Sequence, residues 1–199
     1  DEDSAPVPSF VSQTINSLFF YKNRLGFLAD TNTVMTQEGE FFNFWPTTVT
    51  TLLDSDPIDV AASGVSGDGV SVPILRHAVP FDKQLLLFSD QTQFILTGGD
   101  LLTPTTVDID ASTSFETGNL ARPVNAGKNL YFTANNGGYS VIREYFVEGE
   151  TGVNDAAEVT EHVPKFVPKD VRRMGISTSE DALVCLSNDN LSRLYFYKF

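Results

Sequence analysis

Hydrophobic residues recur along this chain in four short runs of one form. Each run ends in a small residue and a polar turn, and a second run of β-forming residues follows. Two short apolar runs separated by a polar turn predict a β-hairpin. The hairpins recur about every 40 to 60 residues, which is typical of the blades of a β-propeller. The four leading runs are residues 25–30, 85–90, 130–135 and 184–189.

The repeats predict an all-β fold: a β-propeller segment of about four blade-like units over residues 10–199. Residues 1–9 are acidic and rich in proline, so we expect a linker or entry segment there. The chain begins with Asp1 and ends with Phe199 inside a strand-like run. We therefore interpret it as an internal piece of a longer protein, with blades missing. No apolar stretch approaches the ~20 residues that a membrane helix needs, so we expect no membrane span.

The connections between the hairpins carry their own signals. Residues 64–69 are rich in glycine and predict a flexible hairpin tip. Residues 71–81 and 105–110 predict strands, the second because polar and β-branched residues alternate there. Residues 151–160 predict a short helix, with Asn154 or Asp155 as its N-cap.

Aromatic residues are concentrated just after the first hairpin. Phe41, Phe42, Phe44 and Trp45 lie within five positions, and Pro46 ends the run. Because each ring buries a large apolar area, we expect core or blade-to-blade packing. Phe42, Phe44 and Trp45 are therefore predicted to be largely buried. The alternative is a surface patch for a sugar or a protein partner.

The overall charge limits the partners that the chain can bind. The chain carries 13 Lys and Arg against 26 Asp and Glu, a net charge of −13. Tight nucleic-acid binding needs a basic face, so this balance argues against it. An acidic channel wall can still let DNA pass without sticking to it. Acidity that serves solubility alone explains the same balance.

Basic residues are concentrated in one segment, residues 165–173, which holds Lys165, Lys169, Arg172 and Arg173. One interpretation is a solvated loop. The other is a surface that docks onto an acidic neighbour, such as an identical subunit in a ring. In the second case Arg172 and Arg173 form a contact that salt weakens, because exposed charge pairs are screened.

The residues that could take part in catalysis or bind a metal form no catalytic pattern. Asp54, Asp56 and Asp59 suggest calcium, but the spacing lacks the Gly and Glu of an EF-hand loop, which favours a solvated acidic turn. No pair of Glu or Asp residues is singled out for glycoside hydrolysis. We therefore assign no catalytic residue, no cofactor and no metal site, and we expect that the protein is not an enzyme.

Cys185 is the one cysteine of the chain and lies in an apolar run, so it is predicted to be a small buried hydrophobic residue. A nucleophilic cysteine needs a nearby base, and His77 and His162 are the two histidines present. We expect His77 to be a structural histidine, since no second potential ligand lies near it in sequence.

Seven strings together resemble one family, the tail tubular protein B or nozzle proteins of short-tailed bacteriophages, in sequence order and over most of the chain. The strings are RLGFL (24–28), FFNFWP (41–46), DPIDVA (56–61), AVPF (78–81), LLLFSDQTQFILT (85–97), ARP (121–123) and HVPKFVP (162–168).

The resemblance implies a structural virion component rather than an enzyme. It implies a homo-hexameric nozzle at the distal end of the tail, below a ring of the tail adaptor (tail tubular protein A). It further implies a channel that retains and conducts DNA without specific binding, contacts with tail fibres, and assembly in the bacterial host cytoplasm. Family members contain a β-propeller and are much longer than this chain.

A second class of function is a carbohydrate-binding or glycan-degrading β-propeller. Its signature is a cleft with two carboxylates about 5 to 10 Å apart beside exposed aromatic rings. Buried rings and no such carboxylate pair favour the structural component.

Overall fold

The computed structural model describes residues 6–63, 72–149 and 151–198. Within these ranges the chain forms sixteen β-strands in four antiparallel sheets, the blade-like units of a β-propeller. The strands are β1 Ile15–Tyr21, β2 Arg24–Ala29, β3 Asn32–Met35, β4 Ile58–Ala61, β5 Leu75–Phe81, β6 Gln84–Ser89, β7 Gln93–Thr97, β8 Asp108–Thr113, β9 Val124–Ala126, β10 Asn129–Asn136, β11 Tyr139–Val147, β12 Asn154–Glu158, β13 Val167–Pro168, β14 Val171–Ser177, β15 Ala182–Ser187 and β16 Tyr195–Lys198. The all-β fold predicted from the hydrophobic pattern is confirmed.

Each sheet is a meander in which consecutive strands pair, and we number the sheets as blades. Blade 1 is β1–β4, blade 2 is β5–β8, blade 3 is β9–β12 with β13 also paired to β11, and blade 4 is β14–β16. The four predicted hairpins are β2–β3, β6–β7, β10–β11 and β15–β16. The repeated sequence pattern therefore marks two adjacent strands of every blade. Among the described residues no helix is long and apolar enough to cross a membrane.

The chain divides after Ser114 into two compact units. The first unit holds blades 1 and 2, which share a core of buried aliphatic and aromatic side chains that includes Leu28, Met35, Leu87 and Phe94. The blades are also joined through polar groups: Asn16 Nδ2 donates to the Leu75 carbonyl oxygen at 2.9 Å. Two adjacent blades thus fold around one continuous apolar core.

The second unit holds blades 3 and 4 and has its own apolar cluster, which includes Tyr131, Ile142, Leu183 and Cys185. Its blades are joined by the Tyr197 hydroxyl of β16, which donates to the carbonyl oxygen of Val159, just after β12, at 2.7 Å. Each unit therefore has the core and the cross-blade hydrogen bonds expected of neighbouring propeller blades.

The helix predicted over residues 151–160 is wrong. That segment contains β12, which pairs with β11 in an antiparallel register. A tight turn precedes it, in which Gly152 has a φ of 67° and donates its N–H to the Glu148 carbonyl oxygen at 2.8 Å. The turn brings the chain back to the edge of β11. The hydrogen bonds that β12 makes with this edge outweigh the preference of Asn154 or Asp155 for the N-cap of a helix.

Two strand predictions need new boundaries, and one prediction lies outside the described residues. The strand expected at 105–110 begins at Asp108, because Thr103 and Thr106 exchange side-chain hydrogen bonds that hold a turn before it. The strand expected at 71–81 is β5 and begins at Leu75. The predicted hairpin tip at residues 64–69 lies outside the described residues.

The prediction of buried aromatics at residues 41–45 is mostly wrong. Phe42 is 91% exposed and Trp45 is 47% exposed. Phe44 is half-buried and stacks on Phe27, with ring centroids 5.1 Å apart. The connection between β3 and β4 is long and runs over the surface, so one ring of the three packs inward while the other two face solvent.

Candidate functional site

No group of three or more His, Cys, Asp or Glu side chains in the described ranges converges as a metal site would require. Two aspartates of the predicted acidic turn, Asp56 and Asp59, have structural roles instead. Asp56 is buried and accepts the N–H groups of Leu53 and Thr47 at 2.9 and 3.0 Å. Asp59 accepts the Ser9 N–H at 2.8 Å. These carboxylates therefore fix loops.

Cys185 is buried in the apolar cluster of the second unit, as predicted for a small hydrophobic residue. Burial raises the pKa of its thiol to about 12, so the thiol stays protonated at neutral pH. His162 packs beside the ring of Tyr197, with centroids 5.7 Å apart. His77 is buried on β5 opposite Phe88. Of the cysteine and the two histidines, His162 borders an open pocket, a shallow one of about 230 Å³ that is also lined by Phe166 and Phe196.

Glu144 is held by two neighbours on blade 3. Asn129 Nδ2 donates to its carboxylate at 2.6 Å, and the Tyr131 hydroxyl donates to the same oxygen. Burial, the hydrogen bond to Glu144 and its negative charge raise the pKa of Tyr131. This arrangement crosslinks β10 to β11, and it is part of the sheet rather than of a cleft.

A groove in the second unit brings arginines together. It has a volume of about 730 Å³ and runs beside β9 and β14. Arg172 and Arg173, singled out from the sequence, lie there with Arg122, which belongs to the ARP string at residues 121–123. We call this the arginine groove; its walls include Leu120, Arg122, Arg172, Arg173, Met174 and Asn188.

A β-bulge explains how two consecutive arginines line one groove. In a regular strand, neighbouring side chains point to opposite faces. Here Val171 pairs with Ser187 and Arg173 pairs with Leu186, so Arg172 is an extra residue in the ladder. The bulge interrupts the alternation. Both arginines are exposed, and neither side chain has a hydrogen-bond or ion-pair partner among the described residues.

A buried arginine organises a second surface, in the first unit. The Arg24 side chain is 1% exposed, and its guanidinium donates to five main-chain carbonyl oxygens at 2.7–3.4 Å. Burial lowers the pKa of Arg24, while the charges of Glu38 and Asp56 raise it. The five carbonyl groups belong to Thr36, Asp54, Ser55, Asp56 and Leu102.

Arg24 thus ties down both ends of the loop that exposes Phe42 and Trp45. This gives the loop a fixed base beneath an aromatic surface. The RLGFL string is the sequence signal that could have revealed this role, since it places an arginine in an otherwise apolar strand.

The fold defines a class: a segment of a β-propeller built from four antiparallel sheets. The family model of the bacteriophage nozzle protein matches residues 1–199. The chain is also 38% identical over 200 residues to the tail tubular protein gp12 of Escherichia phage T7. That match covers all of this chain and 25% of the relative, so the chain spans a quarter of the relative's length. The chain belongs to the bacteriophage nozzle protein family and is a structural component of a phage tail.

A likeness to solved structures concerns the fold alone. The chain resembles the structure of Kluyveromyces lactis Hsv2, with a TM-score of 0.51 and 10% identity. That match covers 92% of this chain and 46% of the other. It shows a likeness of fold and adds nothing about function.

Proposed function

We propose that this chain is the propeller domain of a nozzle subunit that acts as a homo-hexamer at the distal end of a short phage tail. The observation that carries the proposal is the 38% identity to T7 tail tubular protein gp12 along the whole chain. In the proposed arrangement residues 10–199 form the propeller domain, and residues 1–9 link it to the rest of the subunit.

The hexamer seats against the ring of the tail adaptor and helps dock tail fibres. It also surrounds the channel that retains the DNA and then conducts it. A net charge of −13 suits this role, because an acidic wall repels the phosphate backbone and prevents adhesion. The subunit assembles in the host cytoplasm and acts by shape and charge, without a catalytic residue or a cofactor.

The test is negative-stain electron microscopy of the complete parent protein, alone and mixed with the tail adaptor. Six-fold particles that cap the adaptor ring are the expected result. Single particles that ignore the adaptor at every protein concentration would overturn the proposal.

One observation favours a second candidate, a carbohydrate-binding propeller. Phe42 and Trp45 expose their rings, and exposed rings can stack on sugars. A glycan array probed with the parent protein tests this candidate. Binding that disappears in the Trp45→Ala variant would support it, and an empty array would leave the rings as a protein-contact surface.

A further inference from the structure

The same bulge occurs in the first strand of three blades, and its extra residue is Asn16 in blade 1, Arg76 in blade 2 and Arg172 in blade 4. In blade 2 Arg76 Nε donates to Asp90 Oδ1 at 3.1 Å, and this contact is an ion pair. Asn16 donates to the Leu75 carbonyl oxygen. The bulge position is therefore used for a polar contact in blades 1 and 2.

Blade 4 has the arginine of this pair without the acid. Asp90 follows Ser89, which pairs with the residue before the bulge of blade 2. The equivalent residue of blade 4 follows Ser187 and is Asn188, which lies in the arginine groove with Arg172. An amide has no charge to offset a guanidinium. Blade 2 thus shows that a carboxylate suits this position, and blade 4 lacks one.

We infer that the arginine groove binds carboxylate side chains of a second copy of this chain. This inference rests on the proposed ring and names the groups that join its neighbours. Arg172 supplies a guanidinium with no internal partner among the described residues, and Arg173 and Arg122 extend the positive surface along the groove. A guanidinium binds a carboxylate through two parallel N–H donors, which gives the contact direction as well as attraction.

The carboxylates that suit the groove lie on β8, the last strand of blade 2. Asp108 and Asp110 are both exposed there, and Ile109 between them is buried. Alternate residues share one face of a strand, so two carboxylates stand side by side about 7 Å apart along it. β12, which ends blade 3, exposes a single acid, Asp155. Two adjacent acids match the two adjacent arginines better than one does.

A contact between the groove of one copy and the β8 edge of the next joins two different surfaces. Contacts of this kind continue from copy to copy and close into a ring when the rotation permits. The net charge of −13 makes two copies repel overall, so a local patch of opposite sign is needed to align them. The groove is the place among the described residues where such a patch forms.

The experiment uses the complete parent protein in two charge-reversed forms. One carries Arg172→Glu with Arg173→Glu, and the other carries Asp108→Lys with Asp110→Lys. We expect each form alone to associate at least about tenfold more weakly than the wild type, as measured by sedimentation in low salt. We expect an equimolar mixture to recover association, because the reversed groove of one form then meets the reversed edge of the other.

Recovery in the mixture is the outcome that a contact within one chain does not produce. Rescue confined to a single chain carrying all four substitutions would overturn the inference in favour of an internal contact. The milder pair Arg172→Gln with Arg173→Gln removes the charge without adding acid, so weakening is expected there too. Arg193→Glu and Asp155→Lys are matched controls on exposed positions of the second unit and are expected to leave association unchanged.

The outcome also separates this inference from the proposed function. If the wild type caps the adaptor ring and both reversed forms do so equally well at all salt concentrations, the inference fails while the nozzle assignment stands. If the wild type forms no ring and does not associate, both fail.

Discussion

Arg24 Nη1 donates a hydrogen bond of 2.7 Å to the main-chain carbonyl oxygen of Asp56, 32 residues further along the chain. The same guanidinium reaches four more carbonyl groups, so a single side chain fixes the long connection between β3 and β4. This connection carries the exposed rings of Phe42 and Trp45. The stability of blade 1 and the shape of its aromatic surface therefore depend on one buried cation.

Replacing Arg24 by Met is expected to lower the free energy of unfolding by roughly 3 kcal/mol or more. Several buried carbonyl groups lose their donor, and the buried Asp56 carboxylate loses the favourable interaction with the charge of Arg24. Urea denaturation followed by tryptophan fluorescence measures the change, since Trp45 lies in the affected loop. Arg24→Lys is expected to recover little, because an ammonium group cannot reach the carbonyl groups that a planar guanidinium spans.

The control is Arg193→Met, which removes an exposed arginine from the second unit. It is expected to change the free energy of unfolding by less than about 0.5 kcal/mol. An equal loss in Arg24→Met and Arg193→Met would mean that removal of the positive charge explains the loss, and that the hydrogen bonds of Arg24 do not contribute.

Asp56 predicts a dependence of stability on pH. Burial alone raises the pKa of this carboxyl, but hydrogen bonds from Leu53 and Thr47 and the charge of Arg24 lower it below its ordinary value. A carboxyl with a lowered native pKa adds stability above its unfolded pKa of about 3.9. That contribution is lost as the pH falls through the native pKa.

The wild type should therefore lose stability more steeply than Asp56→Asn as the pH falls below about 4. Unfolding in urea at a series of pH values gives both slopes. Asp54→Asn, an exposed neighbour, controls for the removal of one negative charge. Parallel pH profiles for the wild type and Asp56→Asn would contradict the role assigned to this carboxylate.

The sequence was sufficient to predict the hairpins but not the loops between them. Leu28, Phe88 and Phe132 occupy equivalent places in the pattern, and all three are fully buried, because the repeat is a property of local strand geometry. The β3–β4 connection depends on Arg24 reaching across 32 residues, which periodicity does not encode. Local density of aromatic residues therefore predicted burial where the loop runs over the surface.

The arginine groove illustrates the same limit. Arg172 and Arg173 were conspicuous in sequence as part of a basic segment. Arg122 lies 50 residues away in a connection, and only the packing of β9 beside β14 adds it to the groove. The bulge that turns two consecutive arginines toward one groove depends on pairing with β15, so it follows from the sheet and not from local preference.

Gly26 is expected to tolerate no larger side chain. A Cβ at this position would lie 2.1 Å from the ring of Phe19, its partner across β1 and β2. Because the Phe19 ring is buried and the Cβ would meet its outer edge at Cζ, Cε1 and Cε2, Gly26→Ala should lower the free energy of unfolding by about 1 to 3 kcal/mol. Gly175→Ala in β14 is the control, since nothing lies within 4 Å of the position of its Cβ.

Thermal unfolding of both glycine variants compares them directly. A larger loss for Gly175→Ala than for Gly26→Ala would contradict the packing of Phe19 on Gly26. If Gly26→Ala is destabilised by overpacking, adding Phe19→Leu should recover part of the loss, because the smaller side chain makes room for the methyl group.

Phe42 and Phe88 give a matched test of exposure, since the same residue type lies on the surface in one case and in the core in the other. Phe42 is 91% exposed, and Phe88 is fully buried on β6. Phe42→Ala is expected to change the free energy of unfolding by less than about 0.5 kcal/mol, whereas Phe88→Ala should lower it by about 3 to 5 kcal/mol. Trp45→Ala should fall between them, because about half of that side chain is already in contact with water. Calorimetry of the three variants orders the losses, and a loss at Phe42 as large as that at Phe88 would show that the β3–β4 connection packs inward in solution.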